Sequence, residues 1–249
     1  MNKGWDDEFF REIDAERQIK KDNSFFDSHS KFAHLSDIAA SVALDLEKLG
    51  GRFYCEEDFN FYSNAYLIEN VMAFAAVIES VGKKFSQIKY LEVGVNKGMS
   101  SLAVHLLARK MNFEYKIIGV DPYFEDGYVE GVKRNINKTT RDKALRFLGE
   151  NGVKFELVEK TSSAAFIDFI RSQSLFNCIY IDGCHEKLFP LIDIGSYVNL
   201  LERNGIFMID DYFWRDVFQV KHLFDRYAER LCESWKIAAY KIHPENPIF

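Results

Sequence analysis

The sequence predicts a doubly wound, mostly parallel α/β sheet preceded by an N-terminal helical cap. Three observations predict it. From Ile88 onward short apolar runs alternate with amphipathic stretches, the pattern of βαβ units, whereas residues 1–87 carry helical periodicity and almost no strand signal. One run ends in the glycine-containing turn EVGVNKG, which opens a helix. Three of the other runs close on acids, Asp121, Asp182 and Asp210, at the carboxyl ends where such sheets meet their ligands. The chain therefore divides into a cap, 1–87, and a sheet domain, 88–249.

In the cap, Trp5, Phe9 and Ile13 share one face of a first polar helix. A second follows Ser36, aligns Ile38, Val42, Leu46 and Leu49, and stops at Gly50-Gly51, a C-cap signal. A third runs from about Asn64 to Val81, with Leu67, Val71, Phe74 and Ile78 aligned. The stretch FYCEEDFNFYSN between them reads as a packed loop, with a partner surface or a lid as alternatives. Five strands follow: Ile88 to Val93, Lys116 to Asp121, Val153 to Val158, Cys178 to Asp182 and Gly205 to Asp210. Their helices start near Gly98, Thr140, Ser162, Glu186 and Asp216, and Trp235 to Lys241 offers one further strand. The connection from Tyr123 to Thr140 exceeds the usual few residues and reads as a lid or a disordered flap.

Composition bounds the partners. With 249 residues, 47% hydrophobic and 28% charged, the chain has an ordinary globular balance. A net charge of -6 opposes a broad basic surface for phosphates, so nucleic acid is not the expected substrate. The four cysteines lack C-x-x-C spacing and read as reduced thiols. Acids stand where a signal peptide needs an apolar run, and no stretch approaches the ~18 apolar residues of a membrane span. A cytoplasmic protein, neither secreted nor membrane-spanning, is expected.

In YLEVGVNKGMSS the strand ends at Val93, glycines occupy 94 and 98, and Ser100 and Ser101 lie in the first turn of the next helix. Glycine lets backbone approach a ligand, and the helix N-terminus offers N–H groups to an anion such as a carboxylate. A dinucleotide fingerprint needs glycine where Asn96 stands, and a P-loop needs a Gly-Lys-Ser/Thr that is missing. Glu92 and Asp121 sharpen the reading, because an acid closing the second strand can hold two ribose hydroxyls. The alternatives are a turn-forming Asp before Pro122 and a solvated Glu92. After the third strand, Thr161 and Ser162 either meet an adenine or cap the next helix.

These motifs resemble the class I S-adenosylmethionine-dependent methyltransferases, and within them the metal-dependent O-methyltransferases of catechol and macrocin type. LEVGVNKGMSS is similar to their first motif. The likeness continues through IYIDGCHEKLFPLIDIGSYVNLLERNGIFMIDDYFW, so it covers about Tyr90 to Trp214 and leaves the helical N-terminus outside. It implies a Rossmann-like methyltransferase sheet that holds S-adenosylmethionine at Glu92, Gly94, Gly98, Ser100, Asp121, Thr161 and Ser162.

Asp182 closes the fourth strand with His185 three residues on, and Asp210-Asp211 close the fifth. Neighbouring parallel strands bring them to one edge, where three carboxylates repel unless a cation compensates. A hard divalent ion such as Mg2+ fits. The resemblance implies metal ligation by Asp182, Asp210 and Asp211. His185 stands where the catechol type carries a lysine and is similar to the histidine base of the macrocin type, which points from a catechol toward a sugar hydroxyl. The alternatives are a helix-capping His185 and an exposed Asp210-Asp211 turn. Asp193 is expected to face solvent or to cap a polar contact, and His105, His222 and His243 to serve the core or the surface. Tyr123, Phe124, Tyr128, Tyr212, Phe213 and Trp214 either stack on a substrate ring or pack under loops. The expected activity is O-methylation of a small hydroxylated molecule such as a sugar or glycosylated metabolite. A metal-independent methyltransferase and a nonenzymatic scaffold compete with it, and the helical N-terminus is a candidate contact for a homo-oligomer.

Overall fold

The computed structural model describes residues 29–54, 64–124, 128–129, 132–133, 138–234 and 236–242. The face formed by Trp5, Phe9 and Ile13 lies outside the described residues, as do parts of both long connections. Helix α1 (His29–Phe32) and a 3-10 turn (Ala33–Leu35) lead into α2 (Ser36–Tyr54) and α3 (Asn64–Gly82). α2 continues past Gly50-Gly51 instead of stopping there. Glycine within a helix costs about 1 kcal/mol, and α2 offsets that by burying Ala39, Val42, Ala43 and Leu46. α3 is apolar nearly all round from Val71 to Val81 because it is covered on every side.

The sheet is doubly wound and mostly parallel. It comprises β1 (Ile88–Val93), β2 (Tyr115–Val120), β5 (Phe155–Val158), β6 (Phe176–Ile181), β7 (Leu201–Ile209), β8 (Glu229–Glu233) and β9 (Ala238–Lys241), ordered β5-β2-β1-β6-β7-β9-β8. The first five of that order run parallel, and β9 and β8 add antiparallel edges. A short antiparallel pair, β3 (Tyr128–Val129) and β4 (Val132–Lys133), stands in the 123–140 connection. The intervening helices are α4 (Met99–Lys110), α5 (Lys138–Glu150), α6 (Ser162–Arg171), α7 (Phe189–Tyr197) and α8 (Arg215–Tyr227).

The differences from expectation have local causes. β6 and β7 begin earlier than Cys178 and Gly205 because Phe176 pairs with Leu201 across a bulge. α7 begins at Phe189 rather than Glu186, with Pro190 in its first turn, where proline is pre-organised for helix. β8 escaped the sequence because ERLCE carries charges at both ends, as edge strands do. The closing strand covers 238–241, shorter than expected.

Period-two alternation sorts the sheet's side chains. Tyr90, Cys178, Tyr180, Ile206 and Met208 face α2, α3 and α4 in one apolar cluster; Leu91, Ile179, Ile181, Phe207 and Ile209 lie in a second cluster with residues of α6, α7 and α8. The cap helices thus share a core with the sheet. Continuing the alternation to the carboxyl edge puts Glu92, Asp182 and Asp210 on the face of α3 and α4. Among the described residues no helix is long and apolar enough to cross a membrane, and no disulfide joins Cys178, Cys184 and Cys232 to one another.

Candidate active site

Gly94 and Gly98 both have positive φ, 90° and 76°. A β-carbon on Gly94 would fall 2.0 Å from the Asp182 carbonyl oxygen, and one on Gly98 would meet Leu148 Cδ1 at 3.0 Å. Between them Asn96 adopts φ 48°, which asparagine tolerates better than most residues. Asp121 holds this turn. Its Oδ2 accepts from Val95 N and Asn96 N, each at 3.0 Å, and its Oδ1 accepts from Tyr123 N at 3.1 Å. Three of the roughly four acceptor positions of a carboxylate are thereby occupied by backbone. The acid expected at a ribose is first a brace for the glycine turn. Burial nevertheless raises its pKa above the usual carboxylate value.

Glu92 is fully buried beneath the turn and accepts from the hydroxyls of Ser100 and Ser101, one on each oxygen. Burial pushes its pKa up to about 8 against those two donors. Gly98, the N-cap of α4, has no side chain to offer the first-turn N–H groups. Thr161 is the N-cap of α6, accepting from Ala164 N at 3.4 Å. The Ser162 carbonyl accepts from Tyr197 Oη at 2.8 Å, and its side chain bonds Asp193. Asp193 is buried rather than solvated, and burial lifts its pKa to about 6.

Two of the three acids, Asp182 and Asp211, lie together with His185, and Asp210 is not one of that group. His185 Nε2 lies 3.5 Å from Asp182 Oδ1 and 3.8 Å from Asp211 Oδ2. One ligand atom from each of Asp182, His185 and Asp211 falls within 4.8 Å of the others. Asp210 is buried; burial, then Asp182, raise its pKa. Asp211 sits at φ 46°, a left-handed conformation that re-aims its carboxylate, and burial and Asp210 raise its pKa. Burial opposes a charged imidazole at His185, but Asp182, Asp211 and Asp210 outweigh it and raise its pKa. His185 does not cap the following helix, whose N-cap is Leu188. The indole of Trp214 stacks on it, centroids 5.7 Å apart at 27°.

Of the aromatics expected around a substrate, Trp214 is 49% exposed, whereas Tyr212, Phe213 and Tyr123 are buried. Tyr123 Oη donates to the Asn96 carbonyl at 2.7 Å. His105 is a core histidine bonded to Tyr115 Oη at 2.5 Å, and His222 is exposed. Sequence reasoning missed Lys236, whose Nζ lies 2.6 Å from Asp210 Oδ2 and 3.5 Å from Asp211 Oδ1. No motif marks it, because its segment reads as a strand while it forms the β8–β9 turn.

Two buried atoms at this edge, His185 Nε2 and Asp210 Oδ1, have no hydrogen-bond partner. A buried polar atom left unpaired costs about 1–3 kcal/mol. The carboxylate oxygens of Asp182 and Asp211, with the unpaired Asp210 Oδ1, are the oxygen donors that a hard divalent cation takes, and the His185 nitrogen stays available as a base beside them. The residues fit a metal ion.

Residues 91–212 match the model of a family described as a methyltransferase domain. Among solved structures the chain is similar to the O-methyltransferase NovP, with 14% identity, a TM-score of 0.53, and coverage of 71% of this chain and 80% of that one. It is also similar to the S-adenosylhomocysteine-bound methyltransferase PaMTH1 of Podospora anserina (12%, 0.53, 86% and 96%). A third is the MycE methyltransferase of the mycinamycin biosynthetic pathway, in complex with Mg and S-adenosylhomocysteine (12%, 0.51, 80% and 54%); this chain spans about half of its length. At such identities the likeness is one of fold. No curated protein sequence matches. The sheet order and glycine turn give the chain a Rossmann-like methyltransferase fold, and residues 91–212 of it match a methyltransferase domain.

Proposed function

We propose that the protein is a methyltransferase that acts on oxygen, moving a methyl group from S-adenosylmethionine to a hydroxyl of a sugar or glycosylated metabolite in the cytoplasm, with Mg2+ held by Asp182, Asp210 and Asp211 and His185 as the base. The observation that carries the reading is the placement of His185 Nε2, 3.5 and 3.8 Å from two carboxylates at the edge that the glycine turn borders. Transfer from a sulfonium requires an oxygen aligned with the methyl and relieved of its proton as the bond forms. A divalent ion, when bound, supplies Lewis acidity that lowers the pKa of the substrate hydroxyl. Every other task falls to side chains. His185 accepts the proton at Nε2, and Asp182 and Asp211 stabilise the imidazolium that results. Trp214 screens one face of that ring and offers an aromatic surface for a sugar.

On the cofactor side, Glu92 pins the first turn of α4 through Ser100 and Ser101, and Asp121 pins residues 95 and 96. The turn is thereby preset before the methionine carboxylate meets the α4 N-terminus. Thr161 and Ser162, at the next strand end, border the adenine in this reading. The Mg in the MycE complex and the description of NovP as an O-methyltransferase support it.

A second reading keeps the cofactor pocket and dispenses with the metal. It is favoured by Lys236, which already compensates part of the acidic charge. Assay of EDTA-dialysed protein with labelled S-adenosylmethionine and a panel of sugar nucleotides separates the two. Activity that returns with Mg2+ supports the first, and activity unchanged by EDTA supports the second.

A further inference from the structure

Lys236 divides two adjacent carboxylates between an outer and an inner oxygen. Its Nζ takes Oδ2 of Asp210 at 2.6 Å and lies 3.5 Å from Oδ1 of Asp211. The other oxygen of each is left for the site: Asp210 Oδ1 is buried without a partner, and Asp211 Oδ2 faces His185 Nε2 at 3.8 Å. The ammonium comes from a braced turn. The Lys236 carbonyl accepts from Tyr212 N at 3.3 Å, Ser234 N donates to the Ile237 carbonyl at 2.8 Å, and Tyr212 Oη donates to the Ser234 carbonyl at 2.9 Å. Ser234 Oγ also bonds Asn70 Oδ1 on α3 at 2.9 Å, which ties the turn to the cap helices. The Lys236 side chain is 12% exposed on that fixed backbone.

The charge balance agrees with this geometry. With Asp210 ionised and His185 neutral, as a bound cation and a free base require, three carboxylates less one ammonium leave two negative charges, the complement of a single divalent ion. We infer that Lys236 is a positioning residue: it holds the outer oxygens of Asp210 and Asp211 so that the inner ones, with Asp182, form a pre-set divalent-cation site. The inference rests on the metal reading above. Its rival is simple repulsion, in which the ammonium competes with the cation and its removal tightens binding. The two differ in sign.

The test is Mn2+ titration of the full chain followed by electron paramagnetic resonance, without cofactor or substrate. Loss of a partner that orients metal ligands weakens binding roughly 10–100-fold, and Lys236→Met is expected to do so. Lys236→Arg, which keeps the charge and can reach both carboxylates, is expected to restore affinity close to wild type. A merely structural role lowers the melting temperature of Lys236→Met but leaves Mn2+ affinity unchanged; that result, or tighter binding, overturns the inference while leaving the metal site intact. Absence of Mn2+ binding in wild type overturns the metal reading and the inference together. A measurement on wild type alone covers the case in which Lys236→Met fails to fold. Acetylation of Lys236, read by mass spectrometry, is expected to be as slow with Mg2+ as without it. Severalfold faster labelling with Mg2+ shows the ammonium expelled and overturns the inference.

Discussion

Gly94 lies so close against Asp182 that a β-carbon on the glycine would fall 2.0 Å from the aspartate's carbonyl oxygen. Asp182 N donates to the Val93 carbonyl at 2.8 Å one residue earlier, so the end of β6 runs directly beneath the glycine turn. The cofactor side and the acidic side share a wall of backbone.

Gly94→Ala therefore meets backbone, not a yielding side chain, and does so at φ 90°. A strained position of this kind costs on the order of 1–3 kcal/mol before any overlap is counted. Urea denaturation should show at least that loss, and calorimetry should show weaker S-adenosylhomocysteine binding. Gly149, in α5 with open space around its α-carbon, is the control: Gly149→Ala should stabilise by about 0.4–1 kcal/mol. Equal effects at the two sites would refute the shared wall.

His185→Gln should lower kcat by roughly 10²–10⁴-fold, the usual contribution of a positioned base. S-adenosylhomocysteine affinity should stay unchanged, because His185 bonds no part of the glycine turn. In the metal-free protein the imidazole should titrate above its ordinary 6.5, since Asp182, Asp211 and Asp210 outweigh burial. With the folded pKa raised, its stabilising contribution is complete below 6.5 and is lost as pH rises through the folded value. NMR titration of the ring checks this, and Asp211→Asn should lower the midpoint.

Glu92 gives the opposite slope to an ordinary salt-bridged acid. The folded protein keeps its proton up to about 8, whereas the unfolded chain releases it near 4.5. Between those values the folded state binds more protons, so cofactor-free stability falls as pH rises through that window. Denaturation midpoints at several pH values should show the decline, and Glu92→Gln should flatten it. A wild-type profile flat from pH 5 to 8 would contradict the burial argument.

If Asp182 and Asp211 hold a divalent ion, Mg2+ should raise the melting temperature of wild type but not of Asp182→Asn or Asp211→Asn. At a hundredfold excess over its dissociation constant, a ligand of the native state adds about 2.7 kcal/mol. Calorimetric scans with and without Mg2+ read this directly.

Legibility followed periodicity. The parallel strands and the acids at their ends were readable because apolar runs and terminal Asp residues are local patterns. Edge strand β8 was not, since ERLCE has too few apolar residues to stand out. The site was readable in its members but not in their bonds. Asp121 looked like a ribose ligand, and only the fold shows Val95, Asn96 and Tyr123 donating to it. Tyr212 and Phe213 resemble Trp214 in sequence, yet they turn into the core while the indole covers His185. Lys236 is legible only in three dimensions, because 26 residues separate it from Asp210.

The most direct test is a crystal structure of the S-adenosylhomocysteine complex grown with Mn2+, phased to show anomalous scattering. The account predicts the cofactor product along the Glu92–Gly98 turn and one anomalous peak within coordination distance of Asp182 and Asp211. A map with the product bound but no peak at that edge, at saturating Mn2+, would contradict the metal-assisted mechanism.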